Sequence, residues 1–312
     1  MKYVLNPSES INETLSKCIP GDIIYLNCGI YNEKVEIFTD NITIIGENRD
    51  NVIISNKDYY HKILADYNEC NTFRSYTCFV GGNNVTLSNL TIRNESVPSI
   101  KYGQAVALHA DSDNFKCTNV YLDSAQDTLF TGPLPPDLII RHQGFLKEPF
   151  LKGNPCKQIY ENCKIRGNVD FIFGCAQALF INCDIVSREQ ETDRKKYIGF
   201  IAAPAHSQEM EYGYVFYKCN LIKESGAYGV YLARPWRDYG TAAFIDCKLD
   251  DHINPLGFNK WGNTERNKTA RFYEYTENVD LSKREPWVKI FNKDEALEYI
   301  KNFYNFMNYE EK

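Results

Sequence analysis

The chain has 312 residues, 43% of them hydrophobic, with a formal net charge of −6 at pH 7 and a pI near 5.5. No basic stripe or arginine-rich run is present, so no nucleic-acid partner is expected. No apolar run approaches the ~18 residues that span a bilayer, so no membrane partner is expected either. Met1 to Pro7 has no apolar signal segment, which leads to an expected cytoplasmic location, with secretion as the alternative if an export signal was removed.

Residues Ser8 to Cys18 and beyond place Ile11, Leu15 and Ile19 at helical spacing, and Pro20-Gly21 ends the segment. Such a helix would plug the N-terminal end of a coil. Ile23 to Leu26 and Val35 to Phe38 read as strands. A short pattern then recurs: a polar residue, an apolar one, a variable one, then Ile, Leu or Val. Its copies begin at Asn41, Asn89, Asn119, Asn162, Asn182, Lys218 and Asp246. The shortest interval is 20 residues, from Asn162 to Asn182, which is a solenoid period. Apolar and variable positions alternate as in a strand with one buried face. An all-β parallel β-helix with short capping helices at its ends is therefore predicted, one domain over 1–312 with coils from about 23 to 250.

Tyr59 to Thr77 reads as a polar and aromatic loop. Between 131 and 156 the repeat lapses into an excursion containing Gly132-Pro133-Leu134-Pro135-Pro136 and Lys147-Glu148-Pro149, expected to form a cleft wall. Asn292-Lys293-Asp294-Glu295 is a capping-box start to a helix over about 293–307, with Ala296, Leu297, Ile300, Phe303 and Tyr304 on its apolar face. Of the eleven cysteines no pair has C-x-x-C spacing, and Cys163, Cys183, Cys219 and Cys247 share the inward position of successive repeats, so a buried row of reduced thiols is expected rather than a metal site or disulfides. The five histidines form no ligand motif and are expected in loops or at the surface.

Two acids hold the same place in two repeats: Asn119 is followed eight residues later by Asp127, and Asn162 eight residues later by Asp170. Neighbouring coils lie ~4.8 Å apart, so these carboxylates would repel by ~3 kcal/mol at an effective dielectric near 20. One should stay protonated, giving a general acid beside a nucleophile or base. The alternative is two exposed turn aspartates. Gln126 and Gln104 offer amide donors suited to a developing oxyanion, or are solvent-facing strand residues. Arg234-Pro235-Trp236 sets a cation beside an aromatic able to stack on a sugar. No Gly-x-Ser-x-Gly elbow, P-loop or dinucleotide fingerprint occurs.

Four motifs in order, Gly103-Gln104-Ala105-Val106-Ala107-Leu108, Gln126-Asp127-Thr128-Leu129, Gly167-Asn168-Val169-Asp170-Phe171-Ile172-Phe173-Gly174 and Leu232-Ala233-Arg234-Pro235-Trp236, resemble the pectin methylesterase (pectinesterase) family. The resemblance implies a right-handed β-helix with a long cleft. It also implies hydrolysis of methyl esters on polygalacturonate or oligogalacturonides, releasing methanol without a cofactor; a monomer is expected. Carried over, it makes Asp170 the nucleophile and Asp127 the acid and base, with Gln126 and Gln104 at the oxyanion. Arg234 would orient Asp170, and Trp236, Phe173 and Phe130 would contact the sugar. Asn168, Ala233, Phe130 and His109 depart from the family pattern, where Thr, Gly, Tyr and Arg are usual. The excursion and Gly257 to Gly262 look more like bacterial members than plant ones. A glycoside hydrolase or lyase on the same fold, and a non-catalytic glycan-binding solenoid, remain as rival readings.

Overall fold

The computed structural model describes residues 1–66, 68–142, 156–189 and 199–311. Among them the strands form three parallel sheets of eleven, eight and seven members, and successive turns of the chain contribute to each in rotation. This is a right-handed parallel β-helix.

The recurring polar residue marks a corner. Asn89, Asn119, Asn162, Asn182, Lys218 and Asp246 have φ between 52° and 56°, a left-handed bend in which Asn and Asp are enriched. Each bend turns the chain from the eleven-stranded into the eight-stranded sheet, in register from Thr91–Asn94 to Lys248–Leu249. The next residue (Leu90, Val120, Cys163, Cys183, Cys219 or Cys247) is buried. The Asn41 copy is different: Thr43–Gly46 pairs with Ile23–Leu26 and Thr86–Ser88 in the eleven-stranded sheet. Its counterpart is Asn84, also at positive φ, and the eight-stranded copy is Asn51, ahead of Val52–Asn56. Two corners of the coil use the same residue pattern, so the pattern alone cannot tell them apart.

Inside the coil, Tyr160, Phe180, Phe216 and Phe244 stack on successive turns, with centroids 4.8, 4.6 and 4.4 Å apart. Each fully buried ring contributes ~1.5–3 kcal/mol. Beside them Cys163, Cys183, Cys219 and Cys247 are free and buried. Each thiol donates to a carbonyl one coil earlier (Cys117, Tyr160, Phe180 and Phe216) at 3.2–3.4 Å.

The coil starts before residue 23, because Lys2–Leu5 pairs with Ile23–Leu26, and it continues past 250 through Arg271–Tyr275 and Lys289–Ile290. Helix α1 (Ile11–Leu15) is capped by Ser10 and buries Ile11 and Leu15 in the core, whereas Ile19 is exposed. Two further short helices, α2 (Ser99–Tyr102) and α3 (Pro136–His142), lie in loops. Helix α4 (Lys293–Met307) begins with a capping box between Asn292 and Glu295. Its buried face is Ala296, Ile300, Phe303 and Met307, and it packs on outward residues of the eleven-stranded sheet such as Leu179, Val215 and Ala243. It therefore runs over the side of the coil rather than across its end, and Leu297 is exposed. The last turns are covered by Phe258, Phe272 and Trp287, with a buried bidentate pair between Arg284 and Glu274 at 2.7 and 2.8 Å.

Candidate active site

The site lies along the outer side of the seven-stranded sheet, in a cleft of about 830 Å³. Leu129–Thr131 pairs with Val169–Gly174 so that Leu129 faces Ile172, which sets Asp127 and Asp170 on adjacent rungs, ~4.8 Å apart. The Asp127 N–H donates to Val169 O at 3.1 Å. Both acids have left-handed backbone, φ 64° and 46°, and the second sits where the register with the next strand shifts between Val169 and Ile172. The glycines framing this strand have steric causes. A Cβ on Gly167 would come within 2.2 Å of the Phe171 side chain, and one on Gly174, at φ 127°, within 2.0 Å of Thr131 O.

The two carboxyls are buried but differently partnered. Arg234 follows the strand Tyr231–Ala233 and donates from Nε to Asp170 Oδ1 at 2.8 Å and from an Nη to Oδ2 at 2.6 Å. Its guanidinium lies between two rings, 3.8 Å from the Phe200 centroid and 4.0 Å from that of Trp261. Burial raises the pKa of Asp170, and the Arg234 hydrogen bonds and charge oppose that rise. Asp127 is pushed well above the carboxylate range by burial and then by the Asp170 charge, with only the more distant charge of Arg234 lowering it. The proton shared by the pair therefore belongs on Asp127.

Gln104 and Gln126 are brought together by an isolated parallel bridge, and both line the cleft beside the acids. Gln104 is not inside a strand: it precedes Leu108–Ala110 by four residues. Phe173 and Trp236 also line the cleft, with ring centroids 5.7 Å apart. Phe130 does not. It is fully buried among Phe73, His109, Phe173, Leu134 and Leu138, so it supports the cleft floor rather than meeting a sugar. Leu134 and Leu138, from the segment after Thr131, complete this cover. Asp137, Leu138 and Arg141 of that segment line the cleft, and Asp137 takes a bidentate pair from Arg237 at 3.1 and 2.7 Å. The rest of the excursion, with Lys147-Glu148-Pro149, lies outside the described residues.

Three histidines expected at the surface are buried. His109 faces the rings of Phe79 and Phe130, and burial lowers its pKa to about 3. His206 accepts from the Thr241 N–H on Nδ1 and donates from Nε2 to Ala176 O, and burial lowers it to about 4. His252 is buried against the Ser187 hydroxyl. Sequence reasoning missed Phe73, Phe200, Tyr60 and the role of Trp261 beside Arg234. The signal for Trp261 is structural: the bridge between Ala233 and Phe258 returns its loop to the arginine.

The pectinesterase family model matches residues 7–133 and 150–307. The chain is 28% identical over 276 residues to pectinesterase/pectinesterase inhibitor 18 of Arabidopsis thaliana, covering 85% of this chain and 44% of that protein. It thus spans less than half the length of such curated relatives. Its fold is similar to the pectin methylesterase from Yersinia enterocolitica, with TM-score 0.75, 27% identity and coverage of 93% and 96%. It is also similar to the pectin methylesterase from carrot, with TM-score 0.77, 21% identity and coverage of 99% and 97%. These two likenesses are nearly equal, so they do not set bacterial members apart from plant ones. By the extent of the family match, this chain belongs to the pectinesterase family.

Proposed function

We propose that the chain is a carboxylic ester hydrolase that removes methyl esters from galacturonate units of pectin or pectic oligosaccharides. The observation that carries this reading is the pair of buried acids on adjacent rungs, one held by a bidentate arginine and the other, without such a partner, pushed well above the carboxylate range by burial. An ionised Asp170 oxygen attacks the ester carbonyl carbon. Negative charge then develops on the carbonyl oxygen, where the amides of Gln104 and Gln126 are suited to donate. Collapse breaks the bond to the methoxy oxygen, Asp127 gives its proton to that oxygen, and methanol leaves an acyl-enzyme anhydride on Asp170. Water attacks the substrate acyl carbon while Asp127 takes one of its protons, the bond to the Asp170 oxygen breaks to restore the Asp170 carboxylate, and the galacturonic acid departs and gives its proton to solvent. Trp236 and Phe173 offer the apolar surface on which the sugar rests.

A carboxyl pair at this separation also fits a retaining glycosidase. The test is an assay of methylated pectin for methanol, for new reducing ends and for unsaturated products. Methanol alone supports the esterase. Reducing ends or unsaturated products without methanol would overturn it. Ten buried free cysteines fit work in a reducing compartment, and a cleft built from one chain fits a monomer.

A further inference from the structure

The turn that delivers Gln104 to the cleft is α2 followed by Gly103, and none of the side chains of α2 is buried. Ser99 O accepts the Gly103 N–H at 2.7 Å, and Gly103 has φ 70°, so the position of Ser99 is passed to Gln104 through one closed turn. Whatever holds Ser99 therefore bears on where the Gln104 amide points.

One such hold comes from the strand of the nucleophile. Asn168 stands two residues before Asp170, and its backbone is tied on both sides. Its N–H donates to Ala125 O at 3.0 Å, in the coil of Asp127, and its carbonyl accepts the Phe200 N–H at 3.1 Å, in the coil that follows. The side chain of this buried residue reaches past the coil of Asp127, and Nδ2 donates to Ser99 Oγ at 3.0 Å. Leu108–Ala110 pairs with Leu129–Thr131, and that strand with Val169–Gly174. The coil of Gln104 thus lies two rungs, ~10 Å, from that of Asp170. Asn168 Oδ1 is buried with no hydrogen-bond partner among the described residues. An unpaired buried amide oxygen is unfavourable, so stability gives little reason for an amide at this place. What the amide does is join the segments that carry Asp170 and Gln104.

We propose that Asn168 is a positioning residue: through Ser99 and α2 it fixes the Gln104 amide relative to the Asp170 carboxylate. This rests on the esterase reading above. Asp170 attacks the carbon of a carbonyl whose oxygen Gln104 is to receive, so the separation of the two groups has to be set before the reaction. A donor that drifts costs rate rather than binding.

The test compares wild type with Asn168→Ala, Ser99→Ala, Ser99→Thr, Gln104→Ala and the double variant Ser99→Ala/Gln104→Ala. Methanol release from methylated pectin gives kcat, KM and the pH profile, and hydrogen exchange follows the backbone N–H groups of residues 100–105. Asn168→Ala and Ser99→Ala should each lower kcat by about tenfold with KM within about twofold, and Ser99→Thr, which keeps the hydroxyl, should stay close to wild type. The acidic limb should not move, because the Arg234 pair with Asp170 is untouched. In the Gln104→Ala background Ser99→Ala should cost no more than about twofold further, since its effect passes through the missing amide. Exchange over 100–105 should quicken in Asn168→Ala and Ser99→Ala while Leu108–Ala110 is unchanged. An equal loss in both backgrounds, a loss that falls on KM, a moved acidic limb, wild-type kcat in both single variants, or unaltered exchange would overturn the proposal. If wild type releases no methanol, the esterase reading fails, and the exchange measurement still decides whether Asn168 holds the Gln104 segment.

Discussion

Replacing Arg234 tests the division of labour between the two acids most directly. Its two charge-assisted hydrogen bonds to Asp170, at 2.8 and 2.6 Å, each favour the ionised carboxyl by ~1.5–3 kcal/mol. Arg234→Ala removes both, and water entering the space between Phe200 and Trp261 restores only part of the loss. If about half is recovered, the nucleophile is weakened by ~1.5–3 kcal/mol, a fall of about 10- to 10²-fold in kcat/KM at neutral pH. Without the guanidinium, burial acts unopposed on Asp170, so the carboxyl ionises at higher pH and the acidic limb of the profile moves upward. Arg234→Lys keeps a charge but loses the fork and the stacking on both rings, and should fall between the two. The assay is methanol release against pH for the three proteins at saturating and limiting substrate. An Arg234→Ala enzyme within about threefold of wild type, with an unmoved acidic limb, would refute the assignment of Asp170 as an arginine-held nucleophile.

Asp170→Asn should abolish methanol release, since an amide cannot form the anhydride, whereas Asp127→Asn should retain activity lowered by ~10²–10⁴-fold; the opposite order of residual rates would exchange the roles. Asp127→Asn should also raise the thermal midpoint. The folded-state pKa of Asp127 is raised, so wild-type stability is fully present below the ordinary carboxylate range and declines as pH rises through the folded value. The gain of the Asn variant, ~1–2 kcal/mol at neutral pH, should therefore shrink on acidification, and a gain independent of pH would refute the cause. Trp236→Ala should cost more on long pectin than on a minimal methyl ester, by ~1–3 kcal/mol in kcat/KM, and equal losses would place the indole away from the sugar. Arg284→Ala should destabilise the fold by ~3–5 kcal/mol by leaving Glu274 buried without its partner, read as a fall in the denaturant midpoint while the wild-type pH–rate profile is kept.

The pairing of the acids is legible in the sequence because it depends on one local rule. A left-handed residue precedes each rung of the eight-stranded sheet from Thr91–Asn94 to Lys248–Leu249, so equal offsets from Asn119 and Asn162 bring Asp127 and Asp170 to neighbouring rungs whatever the loop between them does. The same rule misplaces the Asn41 copy, since the corner before the eleven-stranded sheet uses the same bend and the same inward residue. Phe130 and His109 fail for another reason. Alternation puts both on the outer side of the seven-stranded sheet, and only the segment carrying Leu134 and Leu138, together with Phe73, converts that outer side into a second core. Nothing in the strand itself announces such a cover.

The environment of Arg234 shows why composition and spacing identify the reacting groups better than what tunes them. Asp170, Arg234, Phe200 and Trp261 come from separate turns and a loop, and their meeting depends on the bulge after Val169 and on the bridge from Ala233 to Phe258. Trp261 is moreover held at φ 71°, a backbone state that a bulky residue rarely adopts and that costs ~1–3 kcal/mol. Asn259 Oδ1 accepts the Trp261 N–H at 2.9 Å and helps to hold that bend. The Trp261 and Phe200 rings lie against the guanidinium and hold it where both of its nitrogens reach the Asp170 carboxylate. An arginine merely near the acid would be screened by water. Held through two hydrogen bonds, it opposes the effect of burial on Asp170 while Asp127 has only its more distant charge, and that asymmetry is the condition that the two-acid chemistry requires.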